Sequence, residues 1–434
     1  MPSEPWRQHA RALALVWSLA LSVRGARGDG PLPQYAADRH VGVRECRSTL
    51  CHNSVTPWHG SRVRLNEYRI WRDRDHHSRA FTALQTDLGK RIGRNLRIPD
   101  ATRTAECLDC HTDNVALEGR GEGYNVTDGV GCEACHGGAA RWLESHQKAP
   151  RKEDEDRGMY PTWDPRARAE LCLSCHLGSS TKIVTHRMLA AGHPRLSFEV
   201  DTFAQLQPPH WVASKDHVER TGEAVSHVQA WAIGQAVALR EYLGLLADPR
   251  WSRDRWHEPV FFDCNSCHHR FGKQALAGKS DGTRIGLPGL AAAPFVLYEK
   301  VLAVTQPSEA AGINAELAAL NRSIAMRSSD VGARATAFRQ HVTRSIELVE
   351  RAKLDDKSIL AALAECNRPR SPLTYLVAEQ LTMGVQATLA DMYGDEAVNR
   401  DADVQGLLAA TQSLGSFDPA KFRSALHAVC EHHL

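Results

Sequence analysis

The sequence carries almost no excess of either charge: 53 lysine and arginine residues face 51 aspartate and glutamate residues, a formal net charge of +2 over 434 residues. Proteins that bind nucleic acid through its phosphates usually carry a basic surplus, so nothing here indicates a nucleic-acid partner. Long apolar runs are scarce as well. Beyond the N-terminal region, no segment approaches the ~20 apolar residues that a helix needs to span a bilayer.

Residues 1–28 have the pattern of a secretory signal peptide. Two arginines precede an apolar run over residues 12–23, and the small residues Ala26 and Gly28 follow it. The run of about 12 residues is too short to cross a bilayer and is typical of the apolar centre of an export signal. We therefore predict a signal peptide here and a soluble, periplasmic mature protein, with an uncleaved anchor as the alternative.

Ten of the twelve cysteines fall into five pairs, and a histidine directly follows the second cysteine of every pair. The pairs are Cys46/Cys51, Cys107/Cys110, Cys132/Cys135, Cys172/Cys175 and Cys264/Cys267. The histidines that follow them are His52, His111, His136, His176 and His268. Four pairs read C-x-x-C-H, the haem c attachment pattern, in which two thiols bind one porphyrin edge and the imidazole is the proximal iron ligand. The first pair has four intervening residues, which can loop out, so we predict five covalently bound haem c groups.

Other uses of paired cysteines fit less well. Zinc sites can be built from two C-x-x-C pairs, but zinc does not require a histidine after each second cysteine, and five pairs do not divide into four-ligand sites. Iron–sulfur clusters give the histidines no role. The two leftover cysteines, Cys366 and Cys430, are expected to form a disulfide in an oxidising compartment, with two buried free thiols as the alternative.

The chain divides by composition into two parts. All haem motifs lie in residues 29–275, where apolar alternation is weak, as expected if porphyrins form much of the core. A Gly- and Pro-containing stretch at 278–289 reads as a linker. Residues 285–434 carry no haem motif and show helical periodicity, so we predict a bundle of about five helices there. The expected fold class is mainly α: a multihaem cytochrome c domain with little regular sheet, followed by a C-terminal helical bundle.

The sixth ligands of the irons are most simply histidines. Only six methionines occur, whereas histidines outside the five motifs are plentiful. His is therefore the default distal ligand, and the scarcity of Met ligation favours low reduction potentials.

Two segments resemble the cytochrome c-554 family. The segment Asn66–Phe81 is similar to that family's "W…D-x-H-x-x-A-[FY]" pattern, and Gly129–Gly137, with Trp142 and His146 after it, resembles its "G-V-x-C-E-x-C-H-G" haem segment. The resemblance extends over roughly residues 40–270 and implies covalent haem binding. The family's best-known members carry four haems, so five haems and the C-terminal bundle are departures.

The resemblance implies that His77 is a distal ligand, with adjacent His76 as the alternative. His146 lies ten residues beyond a proximal histidine, a reach that suits a ligand to a neighbouring haem. His186 and His193 lie seven residues apart, about two turns along one helix face. Weaker distal candidates are His59, His210, His217, His227 and His269.

These patterns predict an electron-transfer protein that works with redox partner proteins, among which a membrane-associated donor or acceptor is one candidate. The alternative is a multihaem oxidoreductase with one open haem that acts on a small nitrogen or sulfur species, the irregular first haem being the candidate. All five motifs end in His, whereas the known nitrite reductase signature places Lys there. A scaffold or sensor that docks other proteins through the bundle is a third hypothesis.

Overall fold

The computed structural model describes residues 31–59, 63–210, 226–253, 256–268, 288–368 and 373–434. The predicted signal peptide, most of the predicted linker, and the candidate ligands His217 and His269 lie outside these residues. Within them the fold is mainly α, as predicted, and no helix there is long and apolar enough to cross a membrane.

Short helices dominate the part that carries the haem motifs. They are α1 (Val43–Cys46), α2 (Glu67–Arg74), α3 (Ala80–Ala83), α4 (Asp87–Leu96), α5 (Ala105–His111), α6 (Cys132–His136), α7 (Arg151–Asp156), α8 (Pro165–His176), α9 (His186–Ala191), α10 (Val200–Leu206) and α11 (His227–Ala247). Described 3₁₀ turns are Pro33–Tyr35, His76–Arg79, Ala101–Arg103, Leu117–Gly119, Val126–Asp128, Ala139–Arg141, Pro249–Trp251, Pro259–Phe261 and Cys264–Ser266. The strands β1 (Ser252–Arg253) and β2 (Trp256–His257) form a short antiparallel pair.

The C-terminal part is a set of longer helices. They are α12 (Ala293–Thr305), α13 (Pro307–Ala325), α14 (Val331–Arg351), α15 (Asp356–Ala364), α16 (Tyr375–Tyr393), α17 (Asp395–Arg400), α18 (Ala402–Ala410) and α19 (Pro419–His433), with 3₁₀ turns at Glu365–Asn367 and Leu414–Ser416. The structure thus has more helices here than the five expected. The last one begins with a strong start signal, since Asp418 accepts hydrogen bonds from the first-turn amides and Pro419 fills the first helical position.

Apolar packing is unevenly distributed between the two parts. Apart from α11 and the residues of α8 and α10 that pack with it, the described haem-motif part holds small buried clusters, such as Phe81 with Leu84 and Leu108. One large cluster runs through the C-terminal helices and includes α11, whose residues Trp231 and Leu243 are fully buried. Such small clusters supply little hydrophobic stabilisation. The haem-motif part therefore needs groups other than its apolar side chains to occupy its core.

Helix α11 lies at the centre of the large cluster, packed against α8, α12, α14 and α16. The contact with α16 is close, because a Cβ atom on Gly384 would come within 2.8 Å of the Trp231 indole. The predicted boundaries assign α11 to the haem domain. They remain a prediction, but a bundle that begins at residue 285 leaves out the helix on which its core is built.

The predicted disulfide between Cys366 and Cys430 is wrong: both residues are free cysteines. Cys366 is buried in the large apolar cluster, and Cys430 packs against the same cluster from α19. Burial raises the pKa of Cys366 to about 11 and also raises that of Cys430. Both thiols are therefore held in the neutral form, which is unreactive towards oxidation.

Candidate haem sites

Each of the five proximal histidines faces one other histidine, across distances that hardly vary. We number the sites I to V in the order of their motifs. The ring centroids are 6.1 Å apart for His52 and His146 (site I), 6.4 Å for His111 and His193 (site II), 6.3 Å for His136 and His210 (site III), 6.2 Å for His176 and His77 (site IV), and 6.0 Å for His268 and His186 (site V).

This spacing has the length expected for two imidazoles that share one metal ion. A metal–imidazole nitrogen bond is about 2 Å long, so ligation from both faces places the two ring centroids about 6 Å apart. Direct ring stacking would bring the rings closer, as it does for His176 and Phe198, whose centroids are 4.2 Å apart. The gap between paired histidines therefore fits an iron atom with its porphyrin plane.

Five of these ten imidazoles have Nδ1 held by a hydrogen bond, which leaves Nε2 for a metal. The acceptors are Glu67 Oε2 for His52 (2.9 Å), Ala80 O for His111 (2.8 Å), Asp75 Oδ1 for His77 (2.9 Å), Leu143 O for His146 (2.6 Å) and Pro194 O for His193 (2.8 Å). Such bonds fix the tautomer and the orientation of a metal-ligating histidine.

At two of the proximal histidines, burial favours the neutral ring, the form that binds a metal. Burial lowers the pKa of His136 and that of His176 to about 4. Burial also acts on His77, but the hydrogen bond and the charge of Asp75 outweigh it and raise the pKa of His77. Site IV is thus distinguished by a carboxylate that makes its distal imidazole more basic.

The motif geometry follows from local helix formation. Helices α5, α6 and α8 each end at a proximal histidine, so the two cysteines stand three residues apart on one helix face, with the histidine beside the first of them. In site V the motif forms a 3₁₀ turn, closed by a 2.8 Å bond from His268 N–H to Cys264 O.

The irregular first motif closes in the same way. Helix α1 ends at Cys46. The four residues between Cys46 and Cys51 turn back, so that His52 N–H donates to Cys46 O at 3.3 Å. This bond is the counterpart of the one from His268 to Cys264. The longer spacing is absorbed by the turn, and His52 is still presented beside its cysteines.

A buried carboxylate that sequence reasoning missed holds sites I and III together. Glu133, inside the third motif, is 2 % exposed. It accepts hydrogen bonds from the backbone N–H groups of Val41 (2.7 Å), Gly42 (2.6 Å) and Ala139 (2.7 Å). Burial raises the pKa of Glu133, although these three bonds oppose the rise. The only sequence signal for this structural role was the presence of an acidic residue between the two cysteines of a haem motif.

Hydrogen bonds show which sites are neighbours. Glu133 of the third motif accepts the backbone N–H of Gly42, just before the first motif, which joins site I to site III. The backbone N–H of Val130, just before the third motif, donates to His77 O at 3.0 Å, which joins site III to site IV. Cys175 Sγ lies 4.0 Å from the backbone oxygen of Asp109 in the second motif. Sites I, III, IV and II therefore follow one another in space.

Lys182 stabilises the contact between site IV and site II. Its ammonium group is buried and donates to Cys175 Sγ (3.1 Å), to Asp109 O (3.0 Å) and to Gln34 Oε1 (2.5 Å). These three acceptors match the three donors of a lysine ammonium group.

The distal candidates chosen from the sequence are all brought to proximal histidines: His77, His146, His186 and His193. His76 is exposed and interacts with Arg79 instead. His210, only a weak candidate from the sequence, is the partner of His136. No sequence signal singled it out, because its position beside site III results from the path of the chain after α10.

The other weak candidates lie elsewhere. His59 is exposed and contacts Arg64. His227 begins α11 and pairs with Asp201 at 3.1 Å, and that hydrogen bond raises the pKa of His227 to about 9. A histidine held in its charged form at this position is a helix-end ion pair rather than an iron ligand.

The first three motifs fall in the part of the chain that matches a known family. The family model for cytochrome c554 and c-prime matches residues 45–137. This part of the chain is similar to cytochrome c-554. A curated cytochrome c-554 from Nitrosomonas europaea is 26% identical over 122 residues, which cover 25% of this chain and 50% of that protein. The chain therefore spans about half the length of the curated relative it matches, and no solved structure matches it.

The resemblance predicted from the segments Asn66–Phe81 and Gly129–Gly137 is confirmed, since both lie within the matched residues. Proteins of the cytochrome c family carry covalently bound haem c, and the cysteine–histidine motifs described above are the groups that would hold it in this chain. The motifs of sites IV and V and the C-terminal helices lie outside the matched residues.

Proposed function

We propose that this protein is a periplasmic c-type cytochrome that transfers electrons through five closely packed haems. Each haem would be held by the two cysteines of its motif and ligated by the two histidines of its site. The observation that carries the proposal is the set of five histidine pairs with nearly constant spacing. The haems would supply one-electron redox chemistry, while the protein sets each potential through ligands, burial and hydrogen bonds.

The pairing favours electron transfer over catalysis. An iron with an imidazole on each face has no free position for a substrate. In the part of the chain that the structure describes, every proximal histidine has a partner, including His52 of the irregular site I. The alternative, a multihaem oxidoreductase for a small nitrogen or sulfur species, is left without its open haem.

The periplasmic location rests on the signal-peptide pattern of residues 1–28 and on the need of electron-transfer cytochromes for partner proteins in the same compartment. The partners would be redox proteins, with a membrane-associated donor or acceptor among the candidates. The balanced charge of the chain supports no role in nucleic-acid binding.

A haem count combined with a spin-state measurement tests the proposal. The mass of the purified protein should exceed that of the polypeptide by five haem units, and electron paramagnetic resonance of the oxidised protein should show low-spin haem only. A mass excess of four haems would remove site I from the proposal. One equivalent of high-spin haem in the wild type would instead favour the oxidoreductase.

The carboxylate at site IV leads to a prediction about reduction potential. Asp75 accepts the Nδ1–H of His77, which increases the electron donation of that imidazole and stabilises the oxidised iron. Asp75→Asn should raise the potential of one haem by about 59 mV, a tenfold change for a one-electron couple. Spectroelectrochemical titration measures this shift. Asp73→Asn, two residues earlier and exposed, should leave all potentials unchanged.

A further inference from the structure

One short helix supplies partner histidines to two different sites. His186 is the first residue of α9 and faces His268 of site V, whereas His193, two residues beyond the end of α9, faces His111 of site II. The two histidines are seven residues apart, and the 6 residues from His186 to Ala191 are helical, so at a rise of about 1.5 Å per residue their Cα atoms lie on the order of 10 Å apart. The two irons that they serve are therefore neighbours.

Helix α9 is held firmly in place. Its N-terminus is capped by Thr185, which accepts the backbone N–H of Met188 at 3.3 Å, and Glu258 accepts the backbone N–H of His186 at 2.7 Å. At its other end, Asn95 of α4 donates to the carbonyl oxygen of Ala191 at 2.9 Å.

Apolar contacts add to this support. Met188 and Ala191 form a buried cluster with Leu96 of α4. Gly192 ends the helix in the left-handed region with φ 108°, where glycine carries no steric penalty, and so turns His193 towards site II.

We propose that the haem of site V extends the electron path from site II, so that the path runs I–III–IV–II–V. This inference rests on the proposed function, because it needs five bound haems. The first three steps follow from the contacts between neighbouring sites, and α9 provides the fourth. Sites I and V are then the two ends of the path, where electrons enter and leave.

The far end of this path lies against the C-terminal helices. The residues before the fifth motif are tied to the chain that leads into α12: Asp263 N–H donates to Gly289 O at 2.9 Å, and Phe262 forms a β-bridge with Leu290. Tyr242 of α11 donates its hydroxyl hydrogen to Phe261 O. The bundle core thus holds one side of site V, while α9 holds the other.

The test uses site II as a magnetic reporter. His193→Ala removes one ligand of site II and should give a single high-spin ferric signal there. A paramagnetic haem at the neighbouring site V should accelerate the relaxation of that signal. Adding Cys264→Ser and Cys267→Ser, which prevent haem attachment at site V, should abolish that part of the relaxation enhancement. Adding Cys46→Ser and Cys51→Ser instead, which remove the haem of site I, should leave it unchanged.

A second variant covers the case in which His193→Ala does not fold. His193→Met keeps a six-coordinate iron and marks site II through the higher potential of Met/His ligation. The midpoint potential of this marked haem should shift when the haem of site V is removed and stay constant when that of site I is removed.

The outcomes separate this inference from the proposed function. The order alone is overturned if the protein carries five haems but the relaxation of the site II signal does not change when the site V haem is removed. The same holds if that relaxation changes when the site I haem is removed instead. A wild-type protein with no haem on the peptide that contains Cys264 and Cys267 overturns both the order and the five-haem proposal.

Discussion

His77→Ala should convert one of five haems from low-spin to high-spin. His77 faces His176 at 6.2 Å, and its removal leaves the iron of site IV with one protein ligand on one face only. That iron should then bind one equivalent of carbon monoxide when reduced, whereas the wild type should bind almost none. The other four haems should keep their spectra, because other histidines ligate them. Absorption and paramagnetic resonance spectra, together with carbon monoxide titration, measure the change.

The adjacent residue provides a matched control. His76 has the same side chain one position earlier but is exposed and faces no proximal histidine. His76→Ala should leave all five haems low-spin. If His77→Ala leaves the spectra unchanged and His76→Ala opens a haem, the pairing at site IV is wrong. If the wild type already binds one equivalent of carbon monoxide, one haem is open and the oxidoreductase is the better proposal.

Glu133→Ala should destabilise the folded protein by about 3 kcal/mol, because two buried backbone N–H groups and one partly buried one lose their acceptor, at a cost of about 1–3 kcal/mol for each buried group. Those groups belong to Val41 and Gly42, which lead into site I, and to Ala139, which follows site III. One substitution therefore loosens two neighbouring sites. The midpoint of chemical denaturation and the yield of haem-loaded protein measure the effect.

Glu118→Ala is the control for this prediction, since Glu118 is exposed in the same part of the chain. It should change the free energy of unfolding by less than about 0.5 kcal/mol. The free energy of unfolding of Glu133→Gln should lie between those of Glu133→Ala and Glu118→Ala. The amide of glutamine keeps one oxygen acceptor but turns an N–H₂ donor towards a backbone N–H. Equal stabilities for the Glu133 and Glu118 variants would show that water replaces the carboxylate at little cost.

Haem attachment could be predicted from the sequence because it depends on residues that are close in the chain. Two cysteines and a histidine on one helical turn have their relative positions set by backbone geometry alone. The irregular first motif tests this rule, and the bond from His52 N–H to Cys46 O preserves the same closure despite the insertion. The start of α19 is local in the same sense, since it depends on the adjacent residues Asp418 and Pro419.

Other features depend on residues that are far apart in the chain, and there sequence reasoning was incomplete. The partner of His136 is His210, which carries no motif of its own. The predicted bridge between Cys366 and Cys430 relied on compartment chemistry and could not take account of the packing, in which Cys366 is buried in the apolar cluster and Cys430 packs against that cluster, each as a free thiol. The central place of α11 in the bundle was likewise hidden, because its apolar periodicity shows that it is a buried helix but not what it packs against.

The sequence by itself determined the number of cysteine–histidine motifs, the histidine in each motif and the mainly α class, and it predicted haem c as the cofactor, since each of these follows from short-range spacing or from periodicity. Only the tertiary structure decided which histidine faces which, the succession of the sites, and the role of α9 in joining site II to site V. These features depend on contacts between residues that are far apart in the sequence, and packing determines those contacts. The contacts are those of α4 with α9, of the Glu133 carboxylate with the backbone before site I, and of α11 with the C-terminal helices.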